Sequence, residues 1–277
     1  MKTLLLSKLK TAFIPFFILI TGTSQAQTIQ RDFKFKKGDE YQRQIVIKSN
    51  CVLQRGAQKL NISTYSAVTK TYKVNDASNG TALFGITINK IIDTINAMGQ
   101  KEIYNSEKKP DPNSDIQMAL LQMIGKPAMV SVDEKGVILS VKKEVKTSDT
   151  LLSFTGIQAE HFFAGSTLEF IAGFSSNAFL KKGYTWADAS PNSETNFTVN
   201  AVTGRTTTIV YTTNILDGDL NTRVNGVLLV ANESGVILKR STKSVTTGYE
   251  SVKGVVYATT RRTATSEVCY KKLNSSN

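Results

Sequence analysis

Apolar and polar residues alternate along most of the chain, which is the pattern of β-strands that bury one face. The alternating stretches are rich in Val, Ile, Thr and Tyr, which strands prefer. Asn, Asp and Gly residues typical of turns lie between them. The pattern predicts antiparallel strands at residues 44–47, 60–68, 82–88, 195–201, 207–211 and 255–268.

Two stretches in the middle of the chain depart from this alternation. Residues 114–125 follow a turn rich in Pro and Asp, place Leu120 and Met123 on one helical face, and end at Gly125 before Pro127. A helix that is punctuated in this way has a clear start and stop. We therefore predict an amphipathic helix here.

A second helix is predicted at residues 166–174. Ser166 and Glu169 have the spacing of a capping box, in which each side chain bonds the backbone N–H of the other residue. Residues 147–163 fit either a helix or a packed loop. Runs of strands around a few helices predict an α+β fold, a mostly antiparallel curved β-sheet with a few short helices packed on it.

One stretch occurs twice. Residues 130–139 and 228–238 each contain an apolar strand, a turn of Asp or Asn, Glu and a polar residue, then Gly and Val-Ile-Leu. This is the chemistry of a tight hairpin, with Gly136 and Gly235 at the position that requires a positive φ. We expect the two glycines to occupy equivalent corners of two like-built sheets.

A second pair of stretches supports a duplication. Residues 33–41 and 180–186 both place Lys-Lys-Gly before an aromatic residue, Tyr41 in one and Trp186 in the other, which we expect to anchor the packing. The mature chain, residues 27–277, is interpreted as a single β-rich domain with related halves at about 33–141 and 178–270. Unequal spacing between the paired motifs excludes a regular solenoid.

The first 26 residues have the pattern of a secretory signal. A lysine-bearing start precedes an apolar run at 12–20, and small residues then place the cleavage site between Ala26 and Gln27. The apolar run is about half of the ~20 residues that a spanning helix needs. With no cysteine at the cleavage site, we predict an exported protein, periplasmic or extracellular, that is neither lipid-anchored nor transmembrane.

The net charge of +12 comes from lysine and arginine pairs spread along the chain. Without a dense basic run, we interpret these pairs as a solvated surface and exclude nucleic acid as a partner. Contact with anionic lipid head groups or acidic glycans is the alternative. The two cysteines, Cys51 and Cys269, are a candidate disulfide or two buried free thiols, because export permits pairing and the sequence cannot place their Cα atoms.

The sequence contains no assembled catalytic, cofactor or metal site. His161 is the single histidine, and its neighbour Glu160 points away from it on either a helix or a strand. Residues 217–221 alternate oxygen-bearing side chains like a calcium loop, but Thr222 stands where such a loop needs Gly. We therefore predict a non-enzyme without cofactor or metal. A carboxylate pair of glycosidase type, drawn from distant strands, stays open.

These motifs resemble an uncharacterised family of exported Bacteroidota proteins. Its pattern is a signal peptide, an early Lys-Gly-Asp-x-Tyr (residues 37–41), a strand with an Asp-x-x-Gly hairpin (133–136) and a Gly-x-x-Trp (183–186). The family has no assigned activity, so the resemblance implies compartment and fold. A curved antiparallel sheet covered by helices is also similar to periplasmic lipid and lipoprotein carriers.

Three functional hypotheses follow. The first is a non-catalytic protein of the bacterial envelope that binds a lipid or another apolar ligand between its sheet and helices. The second is a structural or protein-interaction module of the envelope. The third, which we favour least, is a hydrolase.

Overall fold

One antiparallel sheet accounts for most of the molecule. The computed structural model describes residues 35–143, 155–157, 161–172, 180–252 and 254–272. The elements among them are β1 (Glu40–Arg55), β2 (Gln58–Ser78), β3 (Thr81–Ala97), β4 (Gln100–Asn105), α1 (Asp115–Met123), β5 (Ala128–Asp133), β6 (Ile138–Lys143), β7 (Thr185–Ser190), β8 (Ser193–Val202), β9 (Thr206–Asp217), β10 (Leu220–Ala231), β11 (Ile237–Val252) and β12 (Val255–Lys271). The predicted strands all lie within observed strands.

The order of the strands brings the two ends of the described chain together. Neighbouring strands follow the order β6-β5-β3-β2-β1-β12-β11-β10-β9-β8-β7, and β4 also pairs with β3. At the centre, β1 and β12 are antiparallel, with Gln44 opposite Val268. The two halves of the chain therefore form the two sides of one curved sheet.

The predicted α+β class is wrong. Of the described residues, 69% lie in strands and 4% in helix, and this part of the chain contains one helix on a curved open sheet. Long strands that pair with chain neighbours satisfy most backbone groups within the sheet. The described residues contain no layer of several helices.

The helix α1 is the part of the helical prediction that the structure contains. Ser114 caps it, accepting a 3.2 Å hydrogen bond from the backbone N–H of Gln117. Its buried residues Leu120 and Met123 pack against β1–β3. Gly125, with φ 72°, ends the helix, as its sequence position predicted.

The second predicted helix is wrong over residues 166–172. The backbone N–H of Leu168 donates to the carbonyl of Gly136, and that of Ala172 donates to the carbonyl of Gly235. Ser166 Oγ donates to the carbonyl of Phe163 instead of capping a helix. The helix predicted from the capping-box spacing does not form, because these long-range hydrogen bonds stabilise the segment more than its local helix propensity does.

Residues 165–172, which we call the crossing segment, link the two Gly-Val-Ile-Leu hairpins. Val137 forms an antiparallel bridge with Thr167, and Val236 forms one with Ile171. Gly136 and Gly235 both have positive φ, as predicted. However, the Gly136 hairpin joins β5 to the edge strand β6, whereas the Gly235 hairpin lies inside the sheet. The two glycines therefore contact the same segment from different positions in a single sheet.

The Lys-Lys-Gly turns make matching hydrogen bonds. Gly38 N donates to Val74 O at 2.9 Å, and Gly183 N donates to Val199 O at 2.8 Å. Each turn thus joins the second strand of the hairpin that follows it. The duplication stays a prediction, since similar turns also form in unrelated hairpins.

The crossing segment closes one end of the curved sheet with an aromatic core. Phe170 is 1% exposed, and its ring centroid lies 4.5 Å from that of Tyr72, 5.3 Å from that of Tyr41 and 5.8 Å from that of Phe84. The other predicted anchor, Trp186, stacks on Phe197 with 4.8 Å between ring centroids. Both aromatic clusters belong to the hydrophobic core of the sheet.

Candidate functional site

The concave face of the sheet encloses a cavity of about 820 Å³. Strands β1, β2 and β9–β12 form its walls. The rest of the lining comes from Ile88 of β3, Met123 of α1, Ile138 of β6, residues 156–157 and 161–162, and the crossing segment. The cavity follows β1 from Arg43 to Leu53, roughly 33 Å at the rise of an antiparallel strand.

The two long walls of the cavity differ chemically. The wall on the side of β1, β2 and α1 is mostly apolar, and the opposite wall on β10–β12 carries hydroxyl groups. The apolar side includes Ile45, Ile47, Leu53, Ile62, Val68, Ile88, Met123 and Ile157. The hydroxyl side includes Thr222, Thr242, Ser244, Thr246, Thr263 and Thr265.

One end of the cavity is closed by a group of buried and half-buried charges, which we call the ion cluster. Its members are Arg43 of β1, Lys70 of β2, Glu169 of the crossing segment, Arg240 of β11 and Glu267 of β12. Removing charges from water is costly, so such groups are found paired and hydrogen-bonded.

Arg43 is the centre of the ion cluster, and its side chain is 4% exposed. Its Nη1 lies 2.5 Å from Glu169 Oε2, and its Nη2 lies 2.7 Å from Glu267 Oε2. Nη1 also donates to the hydroxyl of Tyr72 at 3.1 Å. The pKa of Arg43 is raised well above its usual value, because Glu169, Tyr72 and Glu267 outweigh the lowering effect of burial.

Glu169 holds the two cations of β1 and β2 together. It accepts a hydrogen bond from the hydroxyl of Tyr72, and Lys70 Nζ lies 3.6 Å from its Oε1. Burial alone would raise the pKa of Glu169, but Lys70 and Arg43 lower it well below its ordinary value. Arg43 and Lys70 face each other across the β1–β2 ladder. Glu169 therefore offsets a like-charge pair that would destabilise the sheet.

Arg240 and Glu267 complete the ion cluster from the other half of the sheet. They are opposite each other in the β11–β12 ladder, with Arg240 Nη1 3.6 Å from Glu267 Oε2. Arg240 Nη2 donates to the carbonyl of Glu169 at 2.8 Å. Arg240 Nε is buried and has no hydrogen-bond partner among the residues that the structure describes.

The ion cluster was missed by sequence reasoning, although a signal was present. In β1, Arg43 has the same parity as Ile45, and in β2 Lys70 has the same parity as Val68. A strand with period two therefore turns both cations toward the buried face. Charged residues are rarely buried unless they are paired, so charged residues at inward positions indicate a buried site with ionic partners.

A second buried acid lies behind the apolar wall. Ser66 Oγ is 2.6 Å from Asp93 Oδ1 and 2.7 Å from the carbonyl oxygen of Thr155. A serine hydroxyl has one proton, and a carbonyl can only accept. With Asp93 ionised, the single serine proton serves two acceptors, whereas a protonated Asp93 can donate to Ser66 and leave the serine proton for the carbonyl of Thr155. Burial raises the pKa of Asp93 from 3.8 to about 6, which favours that form.

The structure does not bring the candidate disulfide cysteines together. Both are buried free thiols. Cys269 lies opposite Arg43 and Cys51 opposite Arg261 in the β1–β12 ladder. Their Cα atoms are thus roughly 27 Å apart along the strands, whereas a disulfide needs less than roughly 7 Å. Cys51 lines the cavity, and burial raises the pKa of Cys269 to about 12.

The structure also describes the histidine and the turn that the sequence offered as candidates for catalysis or metal binding. His161 lines the cavity and its ring lies 6.1 Å from that of Phe163. Residues 217–220 form the tight turn between β9 and β10, with Asp217 opposite Leu220. Within the described ranges, no three His, Cys, Asp or Glu side chains cluster as metal ligands do.

The predicted signal and its cleavage site at Ala26 and Gln27 lie outside the described residues. Among the residues that the structure places, no helix has the length and apolar character that spanning a bilayer requires.

Comparisons with known proteins give a likeness of fold. No protein family and no curated protein matches the sequence. Lipovitellin matches with a TM-score of 0.50 and 11% identity over 88% of this chain and 26% of its own. An outer membrane channel from Pseudomonas putida F1 matches with a TM-score of 0.26 and 6% identity, covering 86% of this chain and 97% of its own.

A DUF1329 family protein from Desulfovibrio piger matches with a TM-score of 0.14 and 8% identity, covering 87% of this chain and 88% of its own. Of these three structures, lipovitellin reaches a TM-score of 0.50, and at 11% identity the likeness concerns the fold. This chain spans about a quarter of lipovitellin, 26%.

Proposed function

We propose that this protein binds a lipid or another apolar ligand in the cavity on the concave face of its sheet. The observation that carries the proposal is a cavity of about 820 Å³ with one apolar wall. Ligand sites in proteins usually measure about 300–1,000 Å³ and are lined mostly by apolar side chains. A core in which the inward residues only packed against each other would leave no space of this size.

The fold of lipovitellin supports the same proposal. Its solved structure concerns lipid–protein interactions. A fold hosts many functions, so this support is secondary to the cavity itself. We propose further that the protein is exported to the bacterial envelope and is non-catalytic, and the predicted signal at residues 1–26 supports the export.

Co-purification and binding of a neutral apolar probe test the proposal. Purified protein is extracted with organic solvent, and the extract is examined by mass spectrometry. The stripped protein is then titrated with N-phenyl-1-naphthylamine, whose fluorescence rises in apolar surroundings. We expect saturable binding with one site per chain.

A pair of tryptophan variants locates the binding site. Ile47→Trp places a larger side chain in the cavity, and we expect it to weaken probe binding at least about tenfold, since the added ring occupies the space of the probe. Ile103→Trp is the matched control, because Ile103 is 54% exposed on β4. Equal binding by wild type and Ile47→Trp, or no binding by wild type, would overturn the proposal.

A further inference from the structure

The convex face of the sheet, opposite the cavity, carries a group of four exposed cations, which we call the basic patch. On each central strand, the residues that alternate with the cavity-lining residues point to this face. The basic patch consists of Lys48 of β1, Arg223 of β10, Lys243 of β11 and Arg262 of β12. Only Arg262 belongs to a basic pair in the sequence, so the pairing of the strands brings the four cations together.

The strand register places the four cations in two adjacent rows across the sheet. In the first row, Lys48 and Lys243 lie two strands apart. In the second row, two residues away along each strand, Arg262 and Arg223 lie two strands apart. Neighbouring strands are about 4.8 Å apart and the two rows about 7 Å apart, so the four Cα atoms lie within roughly 16 Å.

The two rows, which the structure describes in full from β2 to β10, contain no acidic residue. Their convex positions are Tyr65, Lys48, Ala264, Lys243 and Asn225 in the first row, and Ser63, Asn50, Arg262, Val245 and Arg223 in the second. Elsewhere on the sheet, Arg261 pairs with Glu250 and Lys271 with Asp39, but the basic patch forms no salt bridge with any described residue. Like charges on neighbouring strands destabilise a sheet, so an anionic partner at this face would stabilise it.

Exposed aromatic and aliphatic side chains lie between the cations. Tyr65, which is 39% exposed, lies opposite Lys48, whose Nζ is 6.0 Å from the centre of the tyrosine ring. Val245, which is 42% exposed, lies between Arg262 and Arg223. This mixture favours a lipid surface, because cations attract anionic head groups while tyrosine and aliphatic side chains contact the boundary of the acyl chains. An acidic polysaccharide has no acyl layer for Tyr65 and Val245 to contact.

We infer that the basic patch docks the protein onto a bilayer surface that contains anionic phospholipids. The four cations contact the phosphate-bearing head groups, and Tyr65 and Val245 point toward the acyl chains. The cavity lies on the opposite face of the sheet, so docking leaves it uncovered. This interaction goes beyond the proposed function and does not depend on what the cavity binds.

Flotation with lipid vesicles tests the inference. Purified protein is mixed with vesicles of phosphatidylcholine alone or of phosphatidylcholine with phosphatidylglycerol, and the bound fraction is measured against lipid concentration. We expect the anionic vesicles to bind at least about tenfold more tightly, since each Lys or Arg near an anionic surface contributes about fivefold. Raising the salt from about 0.1 M to about 1 M shortens the Debye length from about 10 Å to about 3 Å and should remove the preference.

Matched double variants locate the docking surface. Lys48→Gln with Lys243→Gln removes two cations of the basic patch and should weaken binding to the anionic vesicles at least about tenfold. Lys108→Gln with Lys126→Gln is the control, because these lysines are exposed on either side of α1 and their replacement lowers the net charge equally. We expect the control to weaken binding less than about threefold. Circular dichroism shows whether each variant is folded.

Arg223→Gln with Arg262→Gln removes the other two cations of the basic patch and should cause the same loss as the lysine variant. Equal losses in the control variant would assign binding to net charge and overturn the basic patch, as would equal binding to both kinds of vesicle. If polygalacturonate binds as tightly as the anionic vesicles, and the patch variants lose that binding, the partner is an acidic glycan and the lipid surface is wrong. Binding of the fluorescent probe in the cavity is a separate measurement, so either proposal can fail while the other stands.

Discussion

Asp93→Asn tests the buried acid beside Ser66. An asparagine side chain carries an N–H donor at every pH, so it can donate to Ser66 Oγ and leave the serine proton for the carbonyl of Thr155. A charged carboxylate cannot make this donation. Asp93 is 2% exposed, so water does not replace the lost hydrogen bond. We expect the variant to be more stable than the wild type at neutral pH.

The magnitude follows from the pKa of Asp93. Folding raises that pKa from 3.8 to about 6. Because the folded value is the higher one, the contribution of Asp93 to stability is fully present below about pH 4 and is lost as the pH rises through about 6. Two pKa units correspond to about 3 kcal/mol.

Urea unfolding followed by circular dichroism measures the effect. The free energy of unfolding of Asp93→Asn should equal that of the wild type at about pH 4 and exceed it by about 3 kcal/mol at about pH 7.5. Asp188→Asn, at an exposed position of β7, is the control and should show the same small difference at both pH values.

Two results would refute the reasoning on Asp93. One is a stability difference that does not change with pH. The other is an Asn variant that is less stable than the wild type at neutral pH. Either would mean that Asp93 is charged in the folded protein without cost, and that Ser66 donates to it alone.

Three further substitutions test the closed end of the cavity. Glu169→Gln removes a charge at the centre of the ion cluster and should lower the free energy of unfolding in urea by about 3 kcal/mol; an unchanged value would contradict the pairing. Phe170→Ala should lower it by about 3–5 kcal/mol, and Phe170→Leu by less, as measured by thermal unfolding. Gly136→Ala should cost at least about 1–2 kcal/mol, since φ is +80° there. Gly204→Ala, where an added Cβ meets nothing within 4 Å, should cost less in the same urea assay, and equal losses would refute the conformational argument.

Much of the local structure can be predicted from the periodicity of apolar and polar residues along the chain. The alternation that predicted strands at 60–68 and 207–211 follows from the side chains of a strand pointing alternately to its two faces. The helix α1 was predicted because Pro, Ser and Gly punctuate its ends, and these signals act within a few residues. The same alternation, if applied to charged residues as well, would also have placed Arg43 and Lys70 on the inward face.

The second helix shows where local signals fail. Ser166 and Glu169 have the spacing of a cap, yet the side chain of Glu169 lies 2.5 Å from Arg43, more than a hundred residues earlier in the sequence. Ionic partners of Glu169 and backbone hydrogen bonds to two hairpins hold this segment, and all of them are far away in the sequence. No pattern of neighbouring residues contains those partners, so the sequence favoured the wrong structure there.

The sequence by itself determined which residues form strands, which face of each strand is buried, and where the turns and α1 lie. Only the tertiary structure decided that β1 pairs with β12, that Glu169 joins Arg43 to Lys70, and that the concave face keeps a cavity of about 820 Å³. The reason is physical. The period of side chains along a strand is a local property of the backbone, whereas strand order and the space left inside a curved sheet depend on contacts between residues far apart in the chain.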